Sequence, residues 1–357
     1  MGKVQVSFSF VNQEKLPLII QPQNQQPLTA EHLVQFLSEE NTLFQEQLLK
    51  HGAILFRDFQ VNSPDAFLNV INACALGRVF DYDFCTVPRT KIQKGVYTSI
   101  NYTQKSIPMH NEKAYDYDTP SHIYFNCAQP SETGGCTPLI DGNKLWFSLP
   151  EPLKSKLELH GVMYCRYFYG EGIKLKLIRK IGGGINCRTW MDLFETQEKS
   201  VVDEILADTI YQHEWTIGNG LITKKTMPPY RHHPISGKVV WFNQCHNLNR
   251  YYSTNTNFVA LKVKNPIARY IMQLPSLSPL IARFGNGEHF AKHEIATIEQ
   301  LMLEQQVMTP WQKGDVMVVD NYSCLHGKTA HTGKRLILVG MSQRPTDVSN
   351  VVDPNLE

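Results

Sequence analysis

Residues 106–112 read S-I-P-M-H-N-E, and the spacing of His110 and Glu112 constrains the fold more than any other feature. On a helix the two side chains would stand about 200° apart. On extended backbone they share one face, because strand side chains alternate. A shared site therefore requires a strand here, and one histidine with one carboxylate is two-thirds of a metal site. A third ligand candidate lies in D-N-Y-S-C-L-H-G-K-T-A-H-T-G-K-R-L-I-L-V (320–339), where His326 sits in a loop opening with Asn321 and His331 is nearby. Only folding can bring His326 to the pair. Strands carrying His-x-Glu and a distant His match the two-His, one-carboxylate facial triad, which leaves metal positions open on one side and suits non-haem Fe(II) oxygenases. The chain has 13 histidines, so the isolated motif also reads as surface or hydrogen-bonded residues.

The surroundings favour a β framework. Short runs rich in β-branched and aromatic residues, G-V-Y-T-S-I (95–100), S-H-I-Y-F-N-C (121–127), T-P-L-I-D (137–141), K-V-V-W-F-N (238–243), D-V-M-V-V-D (315–320) and R-L-I-L-V-G-M (335–341), are bounded by Pro, Gly and Asn, as strands are. A-I-L-F (53–56) reads as a buried strand. Apolar spacing predicts helices after Thr29, through Phe44 to a Gly52 cap, from Ser63-Pro64 to about Ala75, and over 148–160, 197–208 and 265–305. Residues 1–28 read as polar, proline-rich chain. With no βαβ rhythm, the expected class is mainly β with α insertions: a double-stranded β-helix (jelly-roll) core decorated with helices. We expect one oxygenase-sized domain over 1–357, with a helical and strand cap over 1–90. Its core would span 91–345, with helical insertions at about 145–210 and 250–310.

Composition excludes some partners. The net charge of +2 gives no nucleic-acid footprint. No apolar run approaches the roughly 18 residues of a membrane span, and the N-terminus has no signal-peptide core. The 8 cysteines include no C-x-x-C and read as free thiols of a reducing, cytoplasmic setting.

An ordered set of segments resembles the taurine-dioxygenase/TfdA family of Fe(II)/2-oxoglutarate oxygenases, and within it the SyrP-like branch that modifies amino acids in nonribosomal peptide pathways. The segments are H-G-A-I-L-F-R-D-F (51–59), V-P-R-T (87–90), G-V-Y-T-S (95–99), I-P-M-H-N-E (107–112), G-G-C-T-P-L-I-D (134–141), H-P-I-S-G-K-V-V-W-F-N-Q (233–244), L-H-G-K-T-A (325–330) and G-K-R-L-I-L-V (333–339). The resemblance implies that His110, Glu112 and His326 bind Fe(II). It implies that Arg335 and Thr137 hold the distal carboxylate of 2-oxoglutarate, and that O2 takes the remaining metal position. Succinate and CO2 would leave as co-products of hydroxylation, desaturation or epoxidation. The substrate would be an amino acid, free or tethered to a carrier protein. Where relatives carry a substrate-holding arginine, four residues after the cosubstrate arginine, this chain has Val339. Halogenase relatives replace the metal carboxylate with a small residue; Glu112 is intact, which favours hydroxylation over chlorination.

Substrate contacts are sought at Arg89, Tyr97, Ser99, Asn101, Asn111 and Arg166, each of which also reads as a packing or ladder residue. I-G-G-G-I (181–185) lacks a strand-to-helix context and reads as a loop. Arg231-His232-His233-Pro234 reads as a structural turn, and Asp315 and Asp320 as turn formers. Two readings of other classes stay open. A zinc hydrolase would use the same ligands, although H-E-x-x-H is absent. A non-catalytic jelly-roll binding protein predicts a broken triad, and this one is complete.

Overall fold

V-M-V-V-D (316–320) is buried at every position, the pattern of a strand covered on both faces. The computed structural model shows what covers it, and describes residues 2–24, 26–79, 90–98, 104–116, 118–172, 175–176, 189–207, 209–249 and 280–344. The elements begin with β1 (Val6–Phe10), β2 (Leu18–Pro22), α1 (Ala30–Glu39), α2 (Asn41–His51), β3 (Ala53–Phe56), α3 (Pro64–Cys74) and β4 (Arg78–Val79). Next are β5 (Lys91–Gln93), β6 (Val96–Thr98), β7 (Ile107–His110), β8 (His122–Gln129), β9 (Thr133–Gly134), β10 (Leu139–Asp141) and α4 (Gly142–Phe147). The middle of the chain forms α5 (Glu151–His160), β11 (Val162–Phe168), α6 (Trp190–Phe194), α7 (Lys199–Ala207), β12 (Gln212–Trp215) and β13 (Leu221–Met227). Then come β14 (Tyr230–His232), β15 (Val239–Trp241), β16 (Leu280–Phe284) and α8 (Lys292–Gln305). The last strands are β17 (Val316–Asp320), β18 (Cys324–Lys328), β19 (His331–Thr332) and β20 (Leu336–Gln343).

Two compact units result. The first contains the described residues up to Ser148, Tyr230–Phe242 and those from Leu301 onward; the second contains Leu149–Pro229 and Asn243–Gln300. In the first unit the described strands of the large sheet run β1-β2-β3-β17-β8-β20-β6-β5, with β4 on β20, and a smaller sheet runs β10-β18-β7. Alternation sorts the large sheet's side chains. Ile54, Phe56, Tyr124, Val316, Val318 and Leu338 face a cluster built with Phe36, Phe44, Phe67 and Val70 of α1–α3. Ala53, Leu55, Ile123, Phe125, Met317 and Val319 face the other way and pack with Leu139 and Cys324 of the smaller sheet. Two sheets sharing an apolar layer, with helices on the outer face, make the jelly-roll core expected from the sequence.

Local signals explain the helix ends. Ser63 Oγ accepts the Ala66 N–H at 3.1 Å, with Pro64 in the first helical turn. Gly52 closes α2 at φ 73°, and a Cβ there would collide with Cys324 Sγ. Three expectations need correction. Residues 1–28 contain β1 and β2, which extend the large sheet. Residues 280–284, expected to be helical, form β16, because L-I-A-R-F pairs antiparallel with β11; so short an apolar run has no periodicity of its own. The 265–279 part of that helix lies outside the described residues. The stretch 145–210 also contains a seven-residue strand, β11. The second unit's described strands run β12-β13-β11-β16, with Phe168, Trp190, Val202, Leu206 and Leu221 as a core cluster. Among the described residues no helix is long and apolar enough to cross a membrane.

One buried ion pair ties β3 to β17. Arg57 Nε and Nη2 donate to the two Asp315 oxygens at 3.1 and 2.7 Å, and the Asp315 side chain is 1% exposed. Burial pushes the Asp315 carboxyl pKa up, against the pull of Arg57. Arg57→Leu strands that carboxylate and is expected to cost about 3–5 kcal/mol, read as a lowered urea midpoint. Asp315→Asn in the Arg57→Leu background should recover part of the loss, and no recovery would refute the stranded-charge explanation.

Candidate metal centre

His110 ends β7, and His326 sits at the middle of β18, directly opposite it in the antiparallel register. His326 is therefore a strand residue, not a loop residue: β18 is clasped between β10 and β7, where Leu139 is its other neighbour. The imidazole centroids stand 4.4 Å apart. Glu112 departs from expectation too. The extended backbone stops at His110, and Glu112 opens the turn that follows. Its Oε2 nevertheless lies 4.0 Å from His110 Nε2 and 3.9 Å from His326 Nε2. One ligand atom from each of the three residues falls within 4.8 Å of the others.

Asn321 fixes the turn that carries Glu112. Its Oδ1 accepts the Glu112 N–H at 2.8 Å, and its Nδ2 donates to the Glu112 and Pro120 carbonyls at 3.1 and 2.8 Å. Asn111 answers by donating to the carbonyls of Asn321 and Cys324 at 2.7 and 3.3 Å. Both amides are fully buried. The Glu112 turn is thus locked to the loop that feeds β18, with no dependence on strand periodicity.

The donor set fits a divalent transition metal. The separations of 3.9 and 4.0 Å exceed any hydrogen bond, yet one cation can bridge all three groups. His110 Nδ1 sits 2.8 Å from the Pro108 carbonyl; a carbonyl only accepts, so the ring proton is on Nδ1 and Nε2 presents its lone pair. Ligating histidines are held by this kind of bond. Phe125, its ring 5.4 Å from that of His326, walls one side.

Arg335 Nε donates to the Gly135 carbonyl at 2.9 Å. At Gly135, φ is 70°, and a Cβ would press on Arg335 Cδ and Nε at 3.1 and 3.2 Å, so only glycine admits the guanidinium so closely. Thr137, two residues on, accepts the Trp311 indole N–H on Oγ1 at 3.2 Å, which leaves the hydroxyl proton for another acceptor. Burial pushes the Arg335 pKa down to about 10, so it stays cationic at neutral pH. Burial first, and Arg335 second, push Lys328 down to about 8. This flank of the site carries concentrated positive charge.

Behind β17 lies a buried polar network. Asp320 Oδ1 accepts the Tyr322 and Ser323 N–H groups at 3.0 and 3.1 Å, forming the turn expected of it. Its Oδ2 lies 2.9 Å from His233 Nε2. His233 Nδ1 accepts the Ile235 and Ser236 N–H groups, so the proton is on Nε2 and is donated to Asp320. Arg344 Nη2 lies 2.9 Å from His122 Nε2, which must therefore be unprotonated. Burial, and then Arg344 and His233 against the pull of Asp320, hold the His122 pKa down at about 3. Against its burial, the hydrogen bond from His233 and the Arg344 guanidinium hold Asp320 at about 2. The sign follows from linkage. Unfolded His122 binds a proton near pH 6.5 and folded His122 does not, so stability is intact above pH 6.5 and falls steadily toward pH 3. Asp320 adds its own loss only below pH 3.8. We expect about 2 kcal/mol of the stability to disappear between pH 6.5 and 5. Urea midpoints across that range should drop in the wild type and flatten in His122→Leu; equal slopes would refute the assignment.

The proposed substrate contacts scatter. Arg89, Ser99 and Asn101 lie outside the described residues. Tyr97 is 3% exposed and packs in the inner cluster opposite Val339. Asn111 is committed to the loop carbonyls. Arg166 lies on β11 of the second unit, its guanidinium 5.3 Å from the Phe168 ring centre. Sequence reasoning missed Asn321, Gly135 and Trp311 as parts of the site. They act through backbone groups and partners far away in sequence, and no motif marks them.

Comparisons with known proteins bear on the family and the fold. The family model described as taurine catabolism dioxygenase TauD, TfdA family matches residues 15–342. The chain is 28% identical to the dapdiamide synthesis protein DdaC of Enterobacter agglomerans, over 83% of each chain. It is 26% identical to a clavaminate synthase-like protein of Arabidopsis thaliana, over 82% of each. The crystal structure of PvcB from Pseudomonas aeruginosa shares the fold, with TM-score 0.51 and 14% identity over 94% of this chain and 91% of that one.

Proposed function

Since the chain belongs to the TauD/TfdA dioxygenase family, a class that depends on Fe(II) and 2-oxoglutarate, we propose that it hydroxylates an amino acid or amino-acid-derived substrate, free or carrier-tethered. The observation that carries the reading is the convergence of His110, Glu112 and His326 on one point. These three would hold Fe(II). Bound there, the metal with 2-oxoglutarate and O2 supplies the oxidising chemistry and releases succinate and CO2.

The chain's own residues position and shield. Pro108 aims the His110 Nε2, and Asn321 holds the Glu112 turn. The Arg335 guanidinium is suited to pair through two parallel hydrogen bonds with the distal carboxylate of 2-oxoglutarate, and the Thr137 hydroxyl to donate a further one. Lys328 adds to the positive field there. Phe125, Tyr97 and Val339, all in the inner cluster, keep water from the reacting centre. The relative named for dapdiamide synthesis supports a role in biosynthesis.

The test is anaerobic. Fe(II) and 2-oxoglutarate added to metal-free protein should produce the weak visible band of the chelate, and Arg335→Ala should raise the 2-oxoglutarate concentration for half-maximal band at least about tenfold. A wild-type protein that binds metal but gives no band would sink the reading. Incorporation of one oxygen atom from labelled O2 into product separates hydroxylation from desaturation.

A further inference from the structure

Arg231 on β14 is half-buried, and its guanidinium makes no hydrogen bond or ion pair with any described residue. What holds it is aromatic. The guanidinium carbon lies 4.0 Å from the centre of the Tyr322 ring and 5.3 Å from that of Phe242. A guanidinium held by ring faces is fixed in place while its N–H donors remain unspent. Its supports are rigid: Tyr322 is fully buried, Arg231 pairs with Val240 of β15, and His233 just beyond is bonded to Asp320.

The location connects this cation to the metal centre. Tyr322 directly follows Asn321, which grips Glu112. Tyr322 and Phe242 pack with Ala114, in the turn that Glu112 opens. Arg231 therefore leans on Tyr322 of the segment that leads to His326, and Tyr322 in turn packs on the turn that carries Glu112, all within the first unit. A partly desolvated charge with no partner is unfavourable unless a ligand completes it.

We propose that Arg231 anchors the substrate by a bidentate pair with a free carboxylate. This rests on the oxygenase reading above and narrows it: the substrate is a free carboxylic acid of the amino-acid class, not an acyl group whose carboxyl is consumed in a carrier thioester. The anchor comes from β14, and the position of the relatives' substrate arginine is here Val339, buried in the inner cluster.

Calorimetry on the anaerobic Fe(II)/2-oxoglutarate complex tests it, with the twenty proteinogenic L-amino acids and their primary amides as probes. The expected result is that at least one acid binds about tenfold or more tightly than its amide. Arg231→Gln should bind that acid and amide equally, and Arg231→Lys should recover part of the preference. The visible chelate band in each variant checks that the metal centre is intact. The wild-type comparison of acid with amide needs no variant and stands even if Arg231→Gln does not fold. An undiminished preference in Arg231→Gln, or no binding by any free acid while the band is present, overturns the anchor and leaves the oxygenase reading standing. Absence of the band in the wild type overturns that reading instead.

Discussion

Glu112→Ala is expected to weaken Fe(II) binding by more than about 100-fold and to lower kcat/KM by at least about a thousandfold. Changes to residues that merely orient a ligand cost roughly 10–100-fold in affinity, and loss of a ligand atom must exceed that. Two imidazoles remain after the substitution, and the only carboxylate of the His110, Glu112, His326 set is gone. The substitution is clean in one respect. Asn321 holds Glu112 through its backbone N–H and carbonyl, which alanine retains, so the turn should persist. Anaerobic Fe(II) titration with the chelate band as readout measures the affinity, and circular dichroism checks the fold. A folded Glu112→Ala protein with wild-type affinity would remove Glu112 from the ligand set.

Asn321→Ala should damage the same site without touching a ligand. The wild-type amide satisfies one buried donor, the Glu112 N–H, and two carbonyls, those of Glu112 and Pro120. Stranding a buried polar group costs about 1–3 kcal/mol. With some relaxation, a loss of about 3 kcal/mol in unfolding free energy is expected from urea titration. Fe(II) affinity should fall about 10–100-fold as the Glu112 turn loosens. Asn321→Asp keeps the acceptor, loses both donors and adds a charge beside the Glu112 turn, so it should be no better. If Asn321→Ala keeps wild-type stability and metal affinity, the turn is held by something else.

The two experiments separate chemistry from architecture, and the sequence is informative about each to a different degree. His110, Glu112, His326, Thr137 and Arg335 stood out as candidates because metal and carboxylate chemistry admits few residue types and the motifs kept their order, and the fold brings one ligand atom from each of the first three within 4.8 Å of the others. The jelly-roll core was legible in the short β-branched and aromatic runs of β3, β8, β17 and β20, where burial on both faces leaves near-continuous apolar stretches. Helices α1 to α3 announced themselves by their caps. By contrast, β16 and β11 have no period that distinguishes them from neighbouring helices, and only pairing made them strands, β16 with β11 and β11 with both β16 and β13.

The sequence alone thus determined which side chains are candidates for metal and cosubstrate, since that is a property of side-chain type. Only the tertiary structure decided how they meet. The extended backbone ends at His110, so strand alternation does not place Glu112 at the site. A buried asparagine from the loop before β18 places it, by gripping the peptide groups on either side of its Cα. Arg231, likewise, reads as a turn residue in the sequence; that no described residue supplies its counter-charge is visible only once Tyr322 and Phe242 are packed beside it. Hydrogen bonds to backbone and missing partners leave no pattern in residue types, because any sequence supplies the backbone and the fold alone chooses what stands next to it.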